Sequence, residues 1–543
     1  MSVCDDGPYI LMAHTLATTG HIAYNGWATA MLGWQLYLGA AFIKLFGFSF
    51  TTVRSCTIFI AMLMAFLLQR TLIRASISGR NATLATLAFV LSPLYLMLSA
   101  TFMSDIYGLF AIVLCLYGCL RALQASTSRS TIGWICFAVI TNALCGTCRQ
   151  IVWLGILVMV PSILWLLRAQ RRIFLAGSAA TLAGALFIFA CMHWLKLQPY
   201  SIPEHILPPT FPVVKTFWIM AHFFLEIPLL LLPILLPFFP TVRKSTPRAI
   251  VIISVLILGY LFLALYPSHL RSDIHLEPTV GDWVCAFGTY LFVAIHGAPY
   301  VVFNKTTQIV LTIVSFGSLL GMVATFFRSR PTPPTTSSTP AVSWHQLGIL
   351  LVPFTLAYTL FLLPRAATVA ISDRYLLEPL LVALLCVARY YQGRTQRQLP
   401  FLSTLLVGIM ALYGTTITHN TFSFYRARVA LADELAASGV PPTSVDNGWE
   451  YNLLTELQHA NHINAPGIVV PANAYTPTPP PPAGACSTYL YDFTPHIHPL
   501  YGISFDPTAC DGPAPFAPVL YSRWFYRTPG TLYAVRYTPS AKP

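Results

Sequence analysis

The sequence contains few charged residues, and acidic residues are scarcer than basic ones. Only 9% of its 543 residues are Asp, Glu, Lys or Arg, and Asp and Glu together number 18. Apolar residues make up 56% of the chain, and the mean hydropathy is +0.66. This composition excludes a set of ordinary soluble domains, which the length alone would allow. Because runs of about 20 apolar residues recur and each can cross a bilayer, we predict an all-α polytopic membrane protein.

The sequence also lacks a signal-peptide pattern and an internal repeat. Residues 1–6 have no basic region followed by an apolar one, so they do not predict a cleavable signal peptide. The net charge of +13 does not indicate nucleic-acid binding. Arg and Lys cluster instead in short segments between apolar runs, a pattern that orients membrane proteins. These clusters are Arg70, Arg74 and Arg80; Arg121 and Arg129; Arg168, Arg171 and Arg172; Arg243, Lys244 and Arg248; Arg328 and Arg330; and Arg389, Arg394 and Arg397.

About twelve transmembrane helices follow from the apolar runs and the basic clusters. With alternating crossings, every basic cluster lies on the cytoplasmic side. Counting residues 28–47 as a further span would move the clusters outside, so we interpret that segment as an interfacial helix with aromatic anchors. Residues 284–303 are interpreted in the same way. The predicted spans are 52–73, 81–99, 103–122, 131–148, 150–168, 173–195, 216–240, 248–267, 305–327, 344–363, 375–391 and 400–418.

This topology divides the chain into five parts. Residues 1–51 form an external acidic loop with interfacial helices, and residues 52–329 form a transmembrane catalytic core. A cytoplasmic linker rich in Pro, Thr and Ser at 330–343 leads to the last transmembrane helices at 344–418. Residues 419–543 form a small external domain of α/β or irregular structure.

The external domain has its own expected features. Cys486 and Cys510 lie in its polar sequence and can form a disulfide if the domain faces an oxidising compartment. The expected secondary structure is helices over 426–438 and 450–462 and strands within 519–537.

None of the 18 acidic residues falls in a predicted cytoplasmic loop. Asp5 and Asp6 open the chain, and Asp105 lies at the mouth of the span 103–122. A carboxylate at a membrane boundary is costly to desolvate and usually marks a functional site. The other acids predicted outside or at the outer boundary, apart from those in the tail, are Glu204, Asp273, Glu277, Asp282, Asp373 and Glu378.

Four motifs resemble those of C-type, polyprenyl-linked glycosyltransferases. Asp5-Asp6-Gly7-Pro8-Tyr9 resembles the acidic pair of their first external loop, and Trp34-Gln35-Leu36-Tyr37 resembles their second interfacial helix. Met103-Ser104-Asp105 resembles the acid of their second external loop. Asp373-Arg374-Tyr375-Leu376-Leu377-Glu378-Pro379 resembles an Arg-Tyr-x-x-x-x-Pro element that opens a late span. In order and spacing, the motifs resemble the bacterial branch of the dolichyl-phosphate-mannose-protein mannosyltransferase and aminoarabinose transferase superfamily over most of residues 1–420.

The resemblance also implies one difference. Members of that superfamily begin with a membrane span before the acidic pair, whereas this chain starts at the pair. We expect either a start upstream of Met1, which would give thirteen spans, or the loss of that helix.

The resemblance and the chemistry of the side chains suggest roles for the acids. Asp5 and Asp6 are the expected base and acceptor-positioning residues, with Asp5 preferred as the base. Asp105 is expected to orient the acceptor or to hold the partner of the base. The simpler interpretation is that these acids only cap helices or favour their first turns.

Arginines at the outer boundary are expected to bind the phosphate of the donor. Arg149, Arg374 and Tyr375 are the preferred residues, because a guanidinium fork matches phosphate oxygens. Arg54 and Arg365 are further, less favoured candidates. The simpler interpretation is that these side chains only extend towards lipid headgroups.

His222 and Glu226 are four residues apart, so they share one face of a helix. A buried pair without catalytic function is the preferred interpretation, ahead of a metal site or a proton relay. The sequence assigns no metal ligands and no certain cofactor, although it leaves a divalent metal ion open.

We therefore predict an integral-membrane inverting glycosyltransferase on the external face of the inner (plasma) membrane. It would move a hexose or pentose from a polyprenyl-phosphate carrier to a lipid, glycan or protein acceptor. The alternatives are a secondary transporter, which twelve spans would suit, and a non-catalytic scaffold whose tail binds the cell envelope. The scarcity of ionisable residues at mid-membrane depth favours the enzyme over the transporter.

Overall fold

The computed structural model is mostly helical, with 69% of the structure in helices. It describes residues 1–203, 210–265, 276–278, 283–286, 288, 295–297, 300–328, 342–368, 371–395, 397–479, 486 and 491–537. The predicted boundary acids Glu204, Asp273 and Asp282, and residues 330–341 of the predicted linker, lie outside these ranges.

The described residues form α-helices over most of the chain. Their bounds are α1 Asp6–Thr19, α2 Gly33–Phe46, α3 Phe50–Arg74, α4 Gly79–Val90, α5 Pro93–Ser99, α6 Ser104–Leu123, α7 Ser128–Cys145, α8 Val160–Leu166, α9 Arg171–Lys196, α10 Val213–Leu225, α11 Ile227–Leu230, α12 Leu232–Leu235, α13 Pro247–Leu265, α14 Lys305–Arg328, α15 Trp344–Thr368, α16 Leu377–Thr395, α17 Phe401–Ala437 and α18 Gly448–Ala460.

The protein is a multi-pass membrane protein. Among the described residues, eight helical segments are long and apolar enough to cross a bilayer, or nine if α4 and α5 are counted as one bent span. These eight segments are Phe50–Arg74, Ser104–Leu123, Ser128–Cys148, Arg171–Lys196, Val213–Leu230, Lys305–Phe327, Trp344–Thr368 and Phe401–Ala437. The total of twelve therefore stays a prediction.

Three of the predicted spans are not continuous α-helices. The span 81–99 bends by 66° between α4 and α5, where Pro93 begins the second helix. The span 150–168 starts with a 3₁₀ segment and a π segment before α8. The span 216–240 breaks into α10, α11, α12 and a 3₁₀ segment, because Pro228, Pro233 and Pro240 each lack the N–H that an α-helix requires.

The helix α2 occupies the segment that was interpreted as interfacial. Its 14 residues extend about 21 Å, which is too short to cross the hydrocarbon core. The Trp34 indole N–H donates to the Cys145 carbonyl oxygen at 2.6 Å, and the Gln35 amide donates to the Phe102 carbonyl oxygen at 2.9 Å. These bonds fix α2 across the ends of α7 and of the α5–α6 connection.

The C-terminal region begins as a continuation of the last membrane helix. The span predicted to end at 418 continues without a break to Ala437, so the helix predicted over 426–438 is confirmed in type and forms the last part of α17. No Gly or Pro occurs between 415 and 438, and nothing in the local sequence ends the helix earlier.

Beyond α17, a small sheet and α18 form the external domain. Its strands are β1 Val445–Asp446, β2 Tyr501–Ser504, β3 Val519–Tyr521 and β4 Gly530–Arg536, in the order β1-β2-β4-β3. The pair β1–β2 is parallel, and the pairs β2–β4 and β4–β3 are antiparallel. The predicted helix over 450–462 and strands within 519–537 are confirmed in type. Cys486 and Cys510 are joined by a disulfide.

Candidate active site

Asp6, at the start of α1, forms an ion pair in which each carboxylate oxygen accepts two hydrogen bonds. The Arg54 Nε donates to Asp6 Oδ2 at 2.7 Å, and an Arg54 terminal nitrogen donates to Asp6 Oδ1 at 3.0 Å. The backbone N–H groups of Val3 and Phe102 also donate to the two Asp6 oxygens, at 2.8 and 3.3 Å. Asp6 is fully buried. Through two hydrogen bonds from Arg54 and two from backbone amides, this ion pair connects α1 to α3 and to residue 102. We call the Asp6–Arg54 pair the structural joint.

Asp5 precedes α1 and has a different environment. One of its oxygens, Oδ2, lies 3.5 Å from a terminal nitrogen of Arg374, and the Trp449 indole N–H donates to Oδ1 at 3.3 Å. The Asp5 side chain keeps 15% exposure, whereas that of Asp6 has none. Burial raises the pKa of the Asp5 carboxyl above its ordinary value, and Arg374 and the Trp449 N–H partly offset this effect.

Asp105 and Arg149 form a second buried ion pair. Asp105 lies in the first turn of α6, and Arg149 follows the 3₁₀ turn at the end of α7. Their closest atoms, Asp105 Oδ1 and an Arg149 terminal nitrogen, are 2.6 Å apart. Gly108, on the next turn of α6, lets the segment that follows Arg149 pack closely, since a Cβ at that position would lie 3.0 Å from a Val152 methyl group. The other oxygen, Asp105 Oδ2, is buried without a hydrogen-bond partner among the described residues.

Three guanidinium groups surround the ring of Tyr375. The guanidinium carbons of Arg149, Arg365 and Arg374 lie 4.5, 5.0 and 5.3 Å from its centroid. Tyr375 belongs to the 3₁₀ turn Asp373–Leu376 that precedes α16, and it is 8% exposed. The negative face of an aromatic ring attracts cations, so the ring helps to hold several positive charges in one place.

Glu378 extends this cluster on the next turn of the chain. The Tyr358 hydroxyl, on α15, lies 2.8 Å from Glu378 Oε2 and 3.0 Å from the Tyr375 carbonyl oxygen. Glu378 is buried, and its second oxygen, Oε1, has no hydrogen-bond partner within the ranges that the structure describes.

Three buried polar groups of this cluster have no hydrogen-bond partner among the described residues. The acceptors are Asp105 Oδ2 and Glu378 Oε1, and the donor is Arg374 Nε, which is buried and unpartnered in the described part of the chain. A buried polar group without a partner costs about 1–3 kcal/mol, and more when it is charged. A ligand that brings both anionic oxygens and hydroxyl or amine hydrogens would satisfy all three groups.

Most of the residues predicted from the sequence meet in this cluster. Asp5, Asp105, Arg149, Arg374 and Tyr375 belong to it directly, as the contacts above show. Asp6 and Arg54 form the adjoining structural joint.

Three other predicted residues have a different setting. His222 lies on α10, with its Nδ1 2.9 Å from the Trp218 carbonyl oxygen, and Glu226 is the buried residue that ends the same helix. The role of His222 and Glu226 stays a prediction. Asp373, in the motif that precedes α16, accepts from the backbone N–H groups of Trp283 and Val284 at 2.7 to 3.1 Å.

Sequence reasoning missed two members of the site. Trp449 is 444 residues from Asp5, and no local pattern marks it. Tyr358 lies within an apolar run of α15, where an aromatic residue is ordinary. Glu378 carried a signal, because it lies inside the motif that opens α16.

The residues of the site occupy one end of the helix bundle. The helices α3, α6 and α16 begin near it, at Arg54, Asp105 and Arg374, and α7 and α15 end near it, at Arg149 and Arg365. Four of these helices have basic residues at or next to their opposite ends, namely Arg74, Arg121, Arg129 and Arg394.

A metal ion at this site is not tested by the structure. Among the described residues, the group of side chains that comes together at metal-ligand distances is His296, Cys486 and Cys510. Its two cysteines form the disulfide of the external domain.

Comparison with known proteins gives matches among solved structures alone. No family model and no curated protein matches the chain. The chain is similar to the crystal structure of ArnT from Cupriavidus metallidurans in the apo state, with 16% identity, a TM-score of 0.40, and coverage of 85% of this chain and 80% of that one. It is also similar to the crystal structure of ArnT from Cupriavidus metallidurans bound to undecaprenyl phosphate, with 14% identity, a TM-score of 0.41, and coverage of 98% and 94%.

TM-scores this low do not identify the family of the chain. The geometry of the site alone carries the function proposed below.

Proposed function

We propose that this protein is an integral-membrane glycosyltransferase that moves a sugar from a polyprenyl-phosphate carrier to an acceptor. The observation that carries the proposal is the set of unsatisfied groups in the buried cluster. Arg374 Nε lacks an acceptor, and Asp105 Oδ2 and Glu378 Oε1 lack donors, within the described residues. A sugar phosphate supplies both kinds of partner in one molecule.

The phosphate of the donor binds to the arginines around Tyr375. Arg374 and Arg149 each present a planar fork that matches phosphate oxygens, and Tyr375 adds a hydroxyl. As the bond to the sugar breaks, negative charge grows on the phosphate. Fixed cations in a site of low dielectric stabilise that charge more than water would.

Asp5, and not Asp6, is the base that activates the acceptor. The oxygens of Asp6 are occupied by Arg54 and two backbone amides, so Asp6 has no oxygen positioned to take a proton. Asp5 has two longer contacts and partial exposure. The raised pKa of its carboxyl makes it a stronger base than an ordinary aspartate. Direct displacement with one base inverts the configuration of the sugar.

Asp105 and Glu378 bind the sugar. Their unsatisfied oxygens accept hydrogen bonds from hydroxyl or amine groups of the ring, and this selects donors that place such groups there. Arg149 holds Asp105 in orientation through the contact at 2.6 Å.

An apolar groove suits the polyprenyl chain. A cavity of about 730 Å³ lies between α15 and the segment that contains α8, and its walls include Leu157, Trp165 and Val352. One wall, α15, continues to Arg365, and the other follows Arg149 in the chain. The groove lies near the start of α15, because Val352 is 13 residues and about 20 Å along the helix from Arg365. It would therefore hold the distal part of a long tail whose phosphate lies at the arginines.

The site faces the external side of the inner membrane. This orientation follows from the basic residues at the opposite helix ends, because Arg and Lys favour the cytoplasmic side. A reporter that is active only outside the cytoplasm should be active when fused at residue 440 and silent at residue 335. The reverse pattern would place the site in the cytoplasm and contradict this orientation.

The activity is tested with purified full-length protein in lipid nanodiscs. The donors are undecaprenyl-phosphate esters of a hexose, a pentose and an amino sugar, and the acceptors are envelope lipids extracted from a strain that lacks the gene. Mass spectrometry should show loss of one donor, release of undecaprenyl phosphate and a sugar added to one acceptor. Absence of transfer from every donor, together with solute accumulation in proteoliposomes, would favour the transporter instead.

A further inference from the structure

The external domain supplies a residue that contacts the base. Trp449 is the second residue of α18, and it is 3% exposed. Its indole N–H donates to Asp5 Oδ1 at 3.3 Å, while Asp5 Oδ2 faces Arg374 at 3.5 Å. The two oxygens of one carboxylate thus have partners from different parts of the protein.

The indole is fixed in place by aromatic packing. The ring of Trp449 lies 4.6 Å from that of Trp27, in the external loop, and 5.9 Å from that of Phe493. Trp27 and Phe493 also contact each other, at 6.2 Å. The cluster joins the first external loop to the external domain, so the indole cannot turn without disturbing both.

The start of α18 is in turn anchored to the rest of the structure. Asp446 accepts from the Gly448 backbone N–H at 3.0 Å and from the Tyr537 hydroxyl at 2.7 Å, which ties the helix start to the sheet. Arg428, on α17, donates to Glu450 at 3.0 Å. These buried contacts connect Trp449 rigidly to the last membrane helix.

We infer that Trp449 is a positioning residue that fixes the orientation of the Asp5 carboxylate through its indole N–H. The inference rests on the proposed function. With Oδ1 engaged by the indole, Oδ2, which faces Arg374 at 3.5 Å, is the oxygen that takes the acceptor proton. The external domain is then part of the active site and not an independent binding module.

The same hydrogen bond affects when Asp5 is ionised. The charged and titratable groups that face Asp5 are Arg374, Arg365, Glu450, Cys4 and Tyr9. The N–H of Trp449 stabilises the ionised form, so its removal raises the pKa of Asp5 further. Because a base acts only when ionised, activity falls as the pH falls through that pKa. Loss of the N–H therefore moves the fall to a higher pH.

The variant that tests the inference is Trp449→Phe in the full-length protein, which keeps an aromatic ring and removes the N–H. We expect a several-fold lower kcat. In the pH profile of kcat/KM, the fall on the acid side, the acid limb, should move to higher pH by about one unit. Binding of undecaprenyl phosphate should not change, because the arginines are intact. Trp27→Phe changes the neighbouring packing but keeps an aromatic ring there and keeps the Trp449 N–H, so its acid limb should move less than that of Trp449→Phe. Trp524→Phe, an exposed tryptophan of the same domain, should behave like the parent.

A second measurement does not depend on turnover. In protein labelled with ¹⁵N-tryptophan, the indole signal that disappears in Trp449→Phe should titrate with pH in the parent. It should no longer titrate in Asp5→Asn. If that signal is insensitive to pH in the parent, or if Trp449→Phe and Trp27→Phe have the same acid limb, Trp449 only packs and the inference is wrong. If the signal titrates and no donor is turned over, the proposed function fails while the contact stands.

Discussion

Replacement of Asp5 by Asn should reduce sugar transfer by about 10²–10⁴-fold, which is the usual contribution of a general base. The fold should remain intact, because burial already disfavours the charged form of this carboxyl and a neutral amide of the same shape removes that penalty. Donor binding should change little, since Arg374 and Arg149 keep their positions. The measurements are turnover in nanodiscs, thermal unfolding, and binding of undecaprenyl phosphate.

The neighbouring residue gives a matched comparison. Asp6→Ala removes the partner of a buried Arg54, and an uncompensated buried charge costs about 3–5 kcal/mol. This variant should therefore have a clearly lower Tm, which Asp5→Asn should not. If Asp5→Asn turns over donor like the parent, or if Asp6→Ala is as stable as the parent, the assignment of base and structural joint to these two residues is wrong.

The different roles of Asp5 and Asp6 show what the sequence could not reveal. The motif identifies an acidic pair, and successive residues at a helix start point in directions about 100° apart. Which residue faces α3 and which faces the open cluster depends on how α1 is placed on the bundle. That placement is set by contacts with residues 54 and 102, which are distant in the chain.

Other features were predictable because they depend on local chemistry. Apolar runs predicted membrane helices, and the paired cysteines of the tail predicted the disulfide between Cys486 and Cys510. The broken span at 216–240 could have been recognised, since the closely spaced prolines Pro228, Pro233 and Pro240 each remove a helical N–H. The continuous α17 was harder to predict, because hydropathy falls after residue 419 while helix propensity does not.

The contact between Trp449 and Asp5 marks the limit of sequence reasoning here. A tryptophan in a polar tail is compatible with many roles, and its partner is 444 residues away. Only the fold of the external domain, anchored through Arg428 and Glu450, brings the indole to the acid. Sites that are completed by a second domain are therefore the least accessible to motif analysis.

Arg374→Lys should weaken donor binding and transfer by about 10- to 100-fold, although the charge is conserved. A lysine ammonium cannot form the two parallel hydrogen bonds of a guanidinium, and a hydrogen bond to a charged group contributes about 1.5–3 kcal/mol. Arg374→Ala should be worse, because it also removes the charge that opposes the departing phosphate and leaves Asp5 without its cation at 3.5 Å. Titration with undecaprenyl phosphate and kcat/KM for the donor measure the two effects separately.

The control for this substitution is Arg397→Lys, in an exposed segment at the opposite end of the bundle. It should bind and turn over donor like the parent. If Arg374 only extends towards lipid headgroups, Lys would serve equally well, and the two Lys variants would be indistinguishable. If donor binding and turnover fall in Arg374→Lys but not in Arg397→Lys, the two parallel hydrogen bonds of the Arg374 guanidinium are required, because both substitutions preserve charge and nearly preserve length. Since Arg374 Nε has no acceptor among the described residues, the geometry favours a ligand oxygen at that position over a headgroup in the surrounding membrane.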